Sequence, residues 1–378
     1  MYKSNTKGVL MKQQKPGLRE ILSSAVFIII IGALFALNLI IPAPEVLLSE
    51  RRVPAKFPEL SLNTVASGSF MSKFGDYASD RFVFRDGFRS INAFMMFDVY
   101  MMSDKSGLYR SDLVGAGEFR RTNETSFRQS AERIKRAADG LDGLDMNIYY
   151  SIVPDKSIFA ENYMPGFDIE AAESILFDVL GGYEYISLTE SLRAGDFYKT
   201  DLHWDQVRIK AAADHLLSAM GAGGTPDELP VVRAGEFRGV FAGQLALPMG
   251  ADTMSYTDVG GLKVSYLDEK TLEFGPGPVY EIESFPRDDP YDLFLRGPQP
   301  LIVIENEAAP GRELFVFRDS FGSSLGPLLC GSYSKVTLID LRYIHMMMLG
   351  QFIEFTPGSD VLFIYSSQIF NNPSVLLA

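Results

Sequence analysis

Residue types that often carry active-site or structural chemistry are scarce in this sequence. Its 378 residues include one cysteine, one tryptophan and three histidines. Cys330 cannot form an intrachain disulfide, and the apolar residues Pro327 to Leu329 before it indicate a small core residue rather than a nucleophile. A chain of this length forms a sizeable core without disulfides.

Motifs that hold metals or phosphates are missing as well. The sequence has no His-Glu-x-x-His and no Cys-x-x-Cys pattern, both of which are common frames for zinc. It also has no glycine-rich phosphate loop. The glycine-containing stretch of residues 275–278 alternates glycine with proline, which is typical of turns and lacks the backbone donors that hold a phosphate. We therefore predict a protein with no cofactor and no resident metal.

One stretch near the N-terminus is almost free of polar residues. Residues 22–41 are apolar apart from a few small or amide side chains, and this length crosses a hydrocarbon layer of ~30 Å as a helix. Five basic residues and one acidic residue precede it, so the positive-inside rule places the N-terminus in the cytoplasm. A cleaved signal peptide is the alternative, but the run is long for a signal core and no Ala-x-Ala site follows.

This stretch divides the chain into four predicted parts. Residues 1–20 form a cytoplasmic basic segment and residues 21–42 a transmembrane anchor. Residues 43–58 form a tether, which a Pro-Ala-Pro break separates from the anchor. Residues 59–378 form an extracytoplasmic domain, so the predicted location is the cell membrane in a single-pass orientation.

The charge of the predicted external part is strongly negative. The formal net charge is −13, and residues 1–44 contribute five basic and one acidic side chain, so the remainder carries −17. Such a surface repels nucleic acid and anionic lipid headgroups, and we predict no nucleic-acid partner. It excludes neither neutral glycans nor charged polymers bridged by cations.

The period of the apolar residues predicts an α/β fold. Helical spacing predicts helices near residues 125–141, 169–180 and 206–220, and a β-branched run predicts a strand at 147–153. Glycine-rich sequence with short alternating runs predicts a β-rich insertion at about residues 221–285. Continuous apolar runs typical of buried parallel strands lie at residues 301–304, 314–317, 336–339 and 361–365. We therefore predict an open, mostly parallel sheet with helices on both faces.

Two short motifs far apart in the chain contain the candidate chemistry. Asp201-Leu202-His203-Trp204 places a carboxylate two residues from a histidine, directly before a predicted helix. Ser320, in Arg318-Asp319-Ser320-Phe321-Gly322, follows a predicted strand and precedes a predicted helix, where open α/β sheets place functional groups. A histidine oriented by a carboxylate activates a serine hydroxyl when folding brings the groups together.

Each of these residues also has a structural interpretation. Serine before a helix is a common N-cap, and Ser320 lacks the Gly-x-Ser-x-Gly spacing of the hydrolase elbow. His203 and Asp201 alone fit a buried structural pair, and with Asp205 they offer three ligands for a divalent cation. Asp319 is a second candidate for the triad acid, although neighbouring residues at a strand end usually point apart.

Other polar residues have less specific interpretations. His215 lies in a predicted amphipathic helix and His345 beside three methionines, so we expect surface or packing roles for both. Arg81, Arg85 and Arg89 are spaced by four, which predicts one helix face that is either a solvated stripe or an anion site.

The two motifs together resemble the DHHW family, which is related to the SGNH-hydrolase-like alginate O-acetylation proteins. The resemblance continues through Asp80 to Arg85, Val153 to Lys156, Asp289 to Gly297 and Ile339 to Tyr343. The family name implies histidine at position 202, where this chain has Leu202. The order of Asp and His before Ser is also that of the alginate proteins.

The resemblance implies a serine-dependent acyl-ester enzyme with an SGNH-hydrolase-like fold. Ser320 is then the nucleophile, His203 the general base and acid, and Asp201 the orienting carboxylate. The implied reaction is O-acetyl transfer to, or removal from, an extracellular polysaccharide, often alongside a multi-spanning membrane O-acyltransferase. Transferase and esterase share the acyl-enzyme and remain open, and Gly297 and Asn306 are unranked oxyanion candidates. The alternative is a non-catalytic glycan-binding or assembly protein of the same fold, to which Leu202 and the many aromatic residues lend weight.

Overall fold

The computed structural model describes residues 17–47, 49–50, 52–160, 167–285 and 289–377. These residues form two compact units, one of residues 17–47 and 52–88 and the other of residues 49–50 and 89–377. The predicted domain boundaries at residues 20, 42 and 58 remain predictions.

The first unit contains the long apolar helix. Helix α1 spans Leu18–Ile40, and none of its side chains is buried. By length and composition it is able to cross a membrane. Helices α2 (Leu62–Ala66) and α3 (Ser69–Asp80) follow. Arg52, within the predicted tether, makes a two-pronged ion pair with the buried Asp80 of α3.

The predicted single helix face with three arginines is wrong. Arg81 caps the end of α3, whereas Arg85 and Arg89 belong to helix α4 (Arg85–Phe94). Phe84 lies between the two helices with φ of 59°, in the left-handed region. A left-handed residue ends the helical repeat, so Arg81 does not share a helix face with Arg85 and Arg89.

The second unit supplies the remaining elements of regular structure. Its described helices after α4 are α5 (Glu124–Asp139), α6 (Ile169–Leu180), α7 (Lys210–Ala219), α8 (Val240–Leu245), α9 (Phe321–Leu329) and α10 (Ser367–Phe370). Its described strands are β1 (Asp104–Lys105), β2 (Leu108–Ser111), β3 (Gly115–Glu118), β4 (Asn147–Val153), β5 (Glu184–Tyr185), β6 (Val231–Phe237), β7 (Asp252–Thr257), β8 (Lys263–Leu267), β9 (Phe274–Gly277), β10 (Leu301–Glu305), β11 (Glu313–Arg318), β12 (Lys335–Ile339) and β13 (Asp360–Ser366).

An eight-stranded sheet lies at the centre of this unit, in the order β5-β4-β13-β11-β12-β10-β8-β9. The pairings from β5 to β12 are parallel. The pairings of β12 with β10, β10 with β8 and β8 with β9 are antiparallel. The predicted α/β class with a mostly parallel sheet is confirmed, but the prediction that residues 301–304 form a parallel strand is wrong. A continuous apolar run indicates that both faces of a strand are buried, but it does not indicate the direction of the strand. β10 is buried and runs antiparallel to both of its neighbours.

Strand β11 shows why the sheet is covered on both sides. Leu314 and Val316 face one apolar core, which they share with α7 and α9. Phe315 and Phe317 face a second core, which they share with α5 and α6. Because successive strand residues point to opposite faces, helices on both faces bury every residue of the run.

The predicted β-rich insertion consists of a separate hairpin and an extension of the sheet. β6 and β7 form a two-stranded antiparallel sheet, and α8 lies between them in the chain. β8 and β9 instead join the edge of the central sheet. The hairpin and α8 lie against the loop that contains Asp201, as described below.

Candidate functional site

Chain topology brings the two sequence motifs to the same edge of the sheet. Ser320 follows the carboxyl end of β11 and directly precedes α9. The other motif lies in a loop of residues 197–204, which we call the histidine loop, and a bridge between Phe197 and Trp204 closes its base. Inside it, the backbone N–H of Tyr198 donates to the carbonyl of His203. The loop is therefore short and well anchored.

His203 lies within hydrogen-bond distance of both other predicted site residues. His203 Nδ1 lies 2.7 Å from Asp201 Oδ1. His203 Nε2 lies 2.8 Å from Ser320 Oγ, across 117 residues of sequence. Asp201 and His203 are buried, whereas Ser320 is half-buried.

The structural alternatives for Ser320 and its neighbour find little support. Ser320 occupies the N-cap position of α9, but its side chain makes no capping hydrogen bond. The Asp319 carboxylate accepts from the backbone N–H groups of Phe321 and Ser366 and so holds the serine turn to β13. In the described parts of the chain, no three histidine, cysteine or acidic side chains are grouped to hold a metal ion.

A buried hydrogen-bond chain ties the histidine loop to the serine helix. Trp204, with no exposed surface, donates from Nε1 to Ser324 Oγ at 2.7 Å. The Tyr291 hydroxyl lies 2.6 Å from the same Ser324 Oγ. Residues 322–326 match the Gly-x-Ser-x-Gly spacing, with Ser324 as the central serine. This serine is buried inside α9, and its hydroxyl is hydrogen-bonded to Trp204 and Tyr291. Its role is to join the two motifs.

Tyr291 is a site residue that sequence reasoning missed. Its ring stacks on the His203 imidazole, with centroids 3.7 Å apart and planes 7° from parallel. Phe321 contacts the imidazole from another direction at 5.0 Å. The tyrosine and the Asp201 carboxylate together fix the plane of the ring. Its position within Asp289 to Gly297, a segment that carries the family resemblance, was the available signal.

The insertion holds Asp201 through backbone groups. Asp201 Oδ2 accepts from the N–H of Val240 at 3.0 Å, and the adjacent Thr200 Oγ1 accepts from the N–H of Gly239 at 2.7 Å. Asp252 of β7 accepts from the backbone N–H and the hydroxyl of Thr200. These bonds orient the carboxylate so that its other oxygen faces His203.

Lys156 lies underneath the same loop. Its ammonium donates to the carbonyls of Tyr198 and Asp201 at 2.9 and 2.7 Å. Burial lowers the pKa of this lysine to about 8, although Asp201 and other nearby carboxylates oppose the shift. It stands three residues after β4, again in a segment of the family resemblance. A lysine is usually exposed, so composition alone gave no signal.

The structure corrects one of the two oxyanion candidates. Asn306 follows β10, which is antiparallel to β12, and Glu305 pairs with Lys335 at the start of β12. Asn306 therefore lies at the edge of the sheet opposite Ser320, where it donates to the carbonyl of Cys330. Gly297 precedes β10 and lies towards the same edge as Ser320, but its N–H donates to the carbonyl of Phe294.

Two cavities lie near the histidine loop. A recess of about 10 Å³ is lined by Leu202, Phe241 and Phe321 together with the polar residues Glu118, Lys156 and Ser366. A larger cavity of about 620 Å³ is lined by Lys199 and Thr200 together with residues 247–252. Leu202 is thus one wall of the smaller recess.

The other scarce residues take the roles predicted for them. Cys330 is fully buried, and burial raises the pKa of its thiol to about 12, which makes it unreactive. His215 is exposed on α7. His345 caps a short 3₁₀ segment by accepting from the N–H of Met347.

The fold is similar to that of solved structures, one of which is a DHHW family protein. A DHHW family protein from Eubacterium siraeum matches with a TM-score of 0.60 and 16% identity, over 72% of this chain and 94% of its own. Bacillus cereus PatB1 matches with a TM-score of 0.57 and 17% identity, over 72% of this chain and 99% of its own. The O-acetyltransferase domain of Pseudomonas putida AlgJ matches with a TM-score of 0.43 and 12% identity, over 70% and 92% of the two chains. No family model and no curated protein sequence matches. The resemblance to the DHHW family is therefore confirmed for the fold.

Proposed function

We propose that this protein is a membrane-anchored acyl-ester enzyme that uses Ser320, His203 and Asp201 to transfer or remove O-acetyl groups on an extracytoplasmic polysaccharide. The observation that carries the proposal is the 2.8 Å contact between Ser320 Oγ and His203 Nε2, with Asp201 on the other ring nitrogen. A purely structural histidine does not need a half-buried serine hydroxyl as its partner.

The proposed chemistry follows from this geometry. His203 accepts the proton of Ser320 as the hydroxyl oxygen attacks the ester carbonyl, and Asp201 stabilises the imidazolium that forms. Collapse of the tetrahedral intermediate expels the alcohol, which takes the proton from His203 and leaves an acyl-Ser320 ester. Water or a sugar hydroxyl then attacks this ester, with His203 again as base, and regenerates the serine.

One further feature supports the proposed location. Helix α1 is long and apolar enough to span a membrane. We propose that it anchors the enzyme with its N-terminus in the cytoplasm and that a multi-spanning O-acyltransferase supplies the acyl group.

The test is hydrolysis of a chromogenic acetyl ester by the detergent-solubilised full chain. We expect Ser320→Ala and His203→Ala to lose at least about 10³-fold in kcat/KM, as removal of a triad member does elsewhere. His215→Ala, which removes an exposed histidine outside the site, is the matched control and should retain activity. Equal rates in the wild type and both site variants would refute the proposal.

A second candidate function is glycan binding without turnover. The larger cavity favours it, because it combines the aromatic ring of Phe94 with the charged groups of Asp98, Arg110 and Asp112 next to the histidine loop. Under this alternative, the wild type has no esterase activity, and Ser320→Ala binds polysaccharide as tightly as the wild type.

A further inference from the structure

The first unit exposes many large apolar side chains on its helices and connecting loops. The residues concerned, with their exposed fractions, are Val53 67%, Phe57 59%, Leu60 68%, Leu62 90%, Val65 53%, Met71 65%, Phe82 39%, Phe84 64% and Phe88 46%. We call this set the apolar patch. A soluble surface rarely groups so many large apolar side chains within one short segment.

The patch is tied to the end of α1. Asn38, in the last turn of that helix, accepts from the backbone N–H of Val83 at 2.9 Å. Val83 is buried, whereas Phe82 and Phe84 on either side of it are exposed. Helix α1 has 23 residues and is about 34 Å long, so Asn38 lies where a spanning helix leaves the hydrocarbon layer. With α1 as the proposed anchor, Phe82 and Phe84 lie at the level of the membrane surface.

The backbone at Phe84 is strained in a way that serves exposure. Phe84 has φ of 59°, which is unfavourable for a bulky residue, yet the residue is 64% exposed and so gains little from packing. Strain of this kind persists where the surroundings or a function require it. Insertion of the ring into an apolar phase supplies that compensation.

The charges of this segment also differ from those of the remaining chain. Residues 52–88 contain five basic and four acidic side chains, whereas residues 89–378 carry a net charge of −17. Asp80 is buried and pairs with both Arg52 and Arg85. Charges near the patch thus neutralise one another, and the segment is not repelled by anionic headgroups as the rest of the chain is.

We infer that the apolar patch is embedded in the outer leaflet of the membrane that α1 spans, so that residues 53–88 form a second, interfacial attachment to lipid. This inference rests on the proposed membrane anchor. Amphipathic segments with aromatic residues bind at the boundary of headgroups and acyl chains, where they bury apolar side chains and keep paired charges in the headgroup layer. This attachment holds residues 53–88 on the membrane surface. A freely moving tether would instead leave these residues in solvent.

The test measures the depth of a nitroxide spin label in the full chain, reconstituted in phosphatidylcholine nanodiscs. The natural Cys330 is buried and unreactive, so an engineered cysteine takes the label selectively. The reporter is Phe84→Cys. Leu272→Cys is the matched control, because Leu272 has φ of 58° and is 56% exposed on the turn between β8 and β9. Ile30→Cys, in the middle of α1, reports on the anchor itself.

We expect the labels at residues 30 and 84 to collide more often with dissolved oxygen than with a water-soluble nickel chelate, and the label at residue 272 to do the reverse. A label at residue 84 that behaves like the one at 272, while residue 30 remains in lipid, overturns this inference but leaves the anchor intact. A label at residue 84 that neither reagent reaches also overturns it, because protein rather than lipid then covers the patch. A water-exposed label at residue 30 refutes the anchor, and the inference with it.

Discussion

At the scale of single residues, the site depends on groups that do no chemistry themselves. Lys156 donates to two backbone carbonyls of the histidine loop. These carbonyls belong to the loop and point towards the buried lysine, so the ammonium group holds the loop backbone in place. Burial of the ammonium costs desolvation free energy, and this cost lowers the pKa of Lys156 to about 8.

The stability of the protein should reflect this buried lysine. In the unfolded chain its pKa is near the ordinary 10.5, so between pH 8 and 10.5 the unfolded state binds more protons than the folded state. The free energy of unfolding contributed by this group therefore rises with pH across that window, on the order of 3 kcal/mol in total. We expect the wild type to gain stability over Lys156→Met as pH rises from about 8 to about 10. Urea unfolding of the detergent-solubilised chain, followed by Trp204 fluorescence, measures this difference, and parallel pH profiles would contradict it.

The residues that sequence reasoning found and missed differ in physical kind. Asp201, His203 and Ser320 were candidates because histidine is scarce and because two short motifs place them beside helices and strands, and the resemblance to the DHHW family implied their triad roles. Lys156 and Tyr291 are defined only by contacts across long stretches of chain, and the chain contains 17 tyrosines. Nothing local distinguishes a tyrosine that will stack on an imidazole from one that will pack in a core.

At the scale of elements, apolar runs predicted the positions of strands but not their directions. The strand predicted at residues 314–317 is β11 and that at 361–365 is β13, and both are parallel members of the sheet. β10 has the same kind of sequence but runs antiparallel to β12. Direction is set by the connections between strands, and the run itself records only burial on two faces.

The contact between the insertion and the histidine loop leads to a prediction at this scale. A Cβ atom at Gly239 would lie 2.4 Å from both the carbonyl oxygen of Thr200 and the Cβ of Asp201. Gly239→Ala should therefore push α8 away from the loop, misplace Asp201 and destabilise the fold by about 1–3 kcal/mol. We expect a lower kcat for the chromogenic ester and a lower melting temperature.

Gly275→Ala serves as the control for that substitution. Gly275 lies in β9 of the same insertion, and a Cβ there meets no atom within 4 Å. This variant should keep the activity and melting temperature of the wild type. If Gly239→Ala behaves in the same way, the packing of α8 against Thr200 is not what orients the carboxylate.

At the scale of the whole molecule, the net charge of residues 89–378 bears on the choice of polymer. Residues 89–378 carry −17, so a polyanionic substrate is repelled over distances comparable to the Debye length of about 10 Å at 0.1 M salt. Raising the salt concentration from about 20 to about 200 mM should therefore lower the KM for an acetylated polyuronate, because screening weakens the repulsion. An acetylated neutral glucan should show no change in KM, since it has no charge to screen. Measured acetate release from both polymers separates the cases. A KM for the polyuronate that rises with salt would contradict the prediction, because it would mean that a local basic site outweighs the net charge.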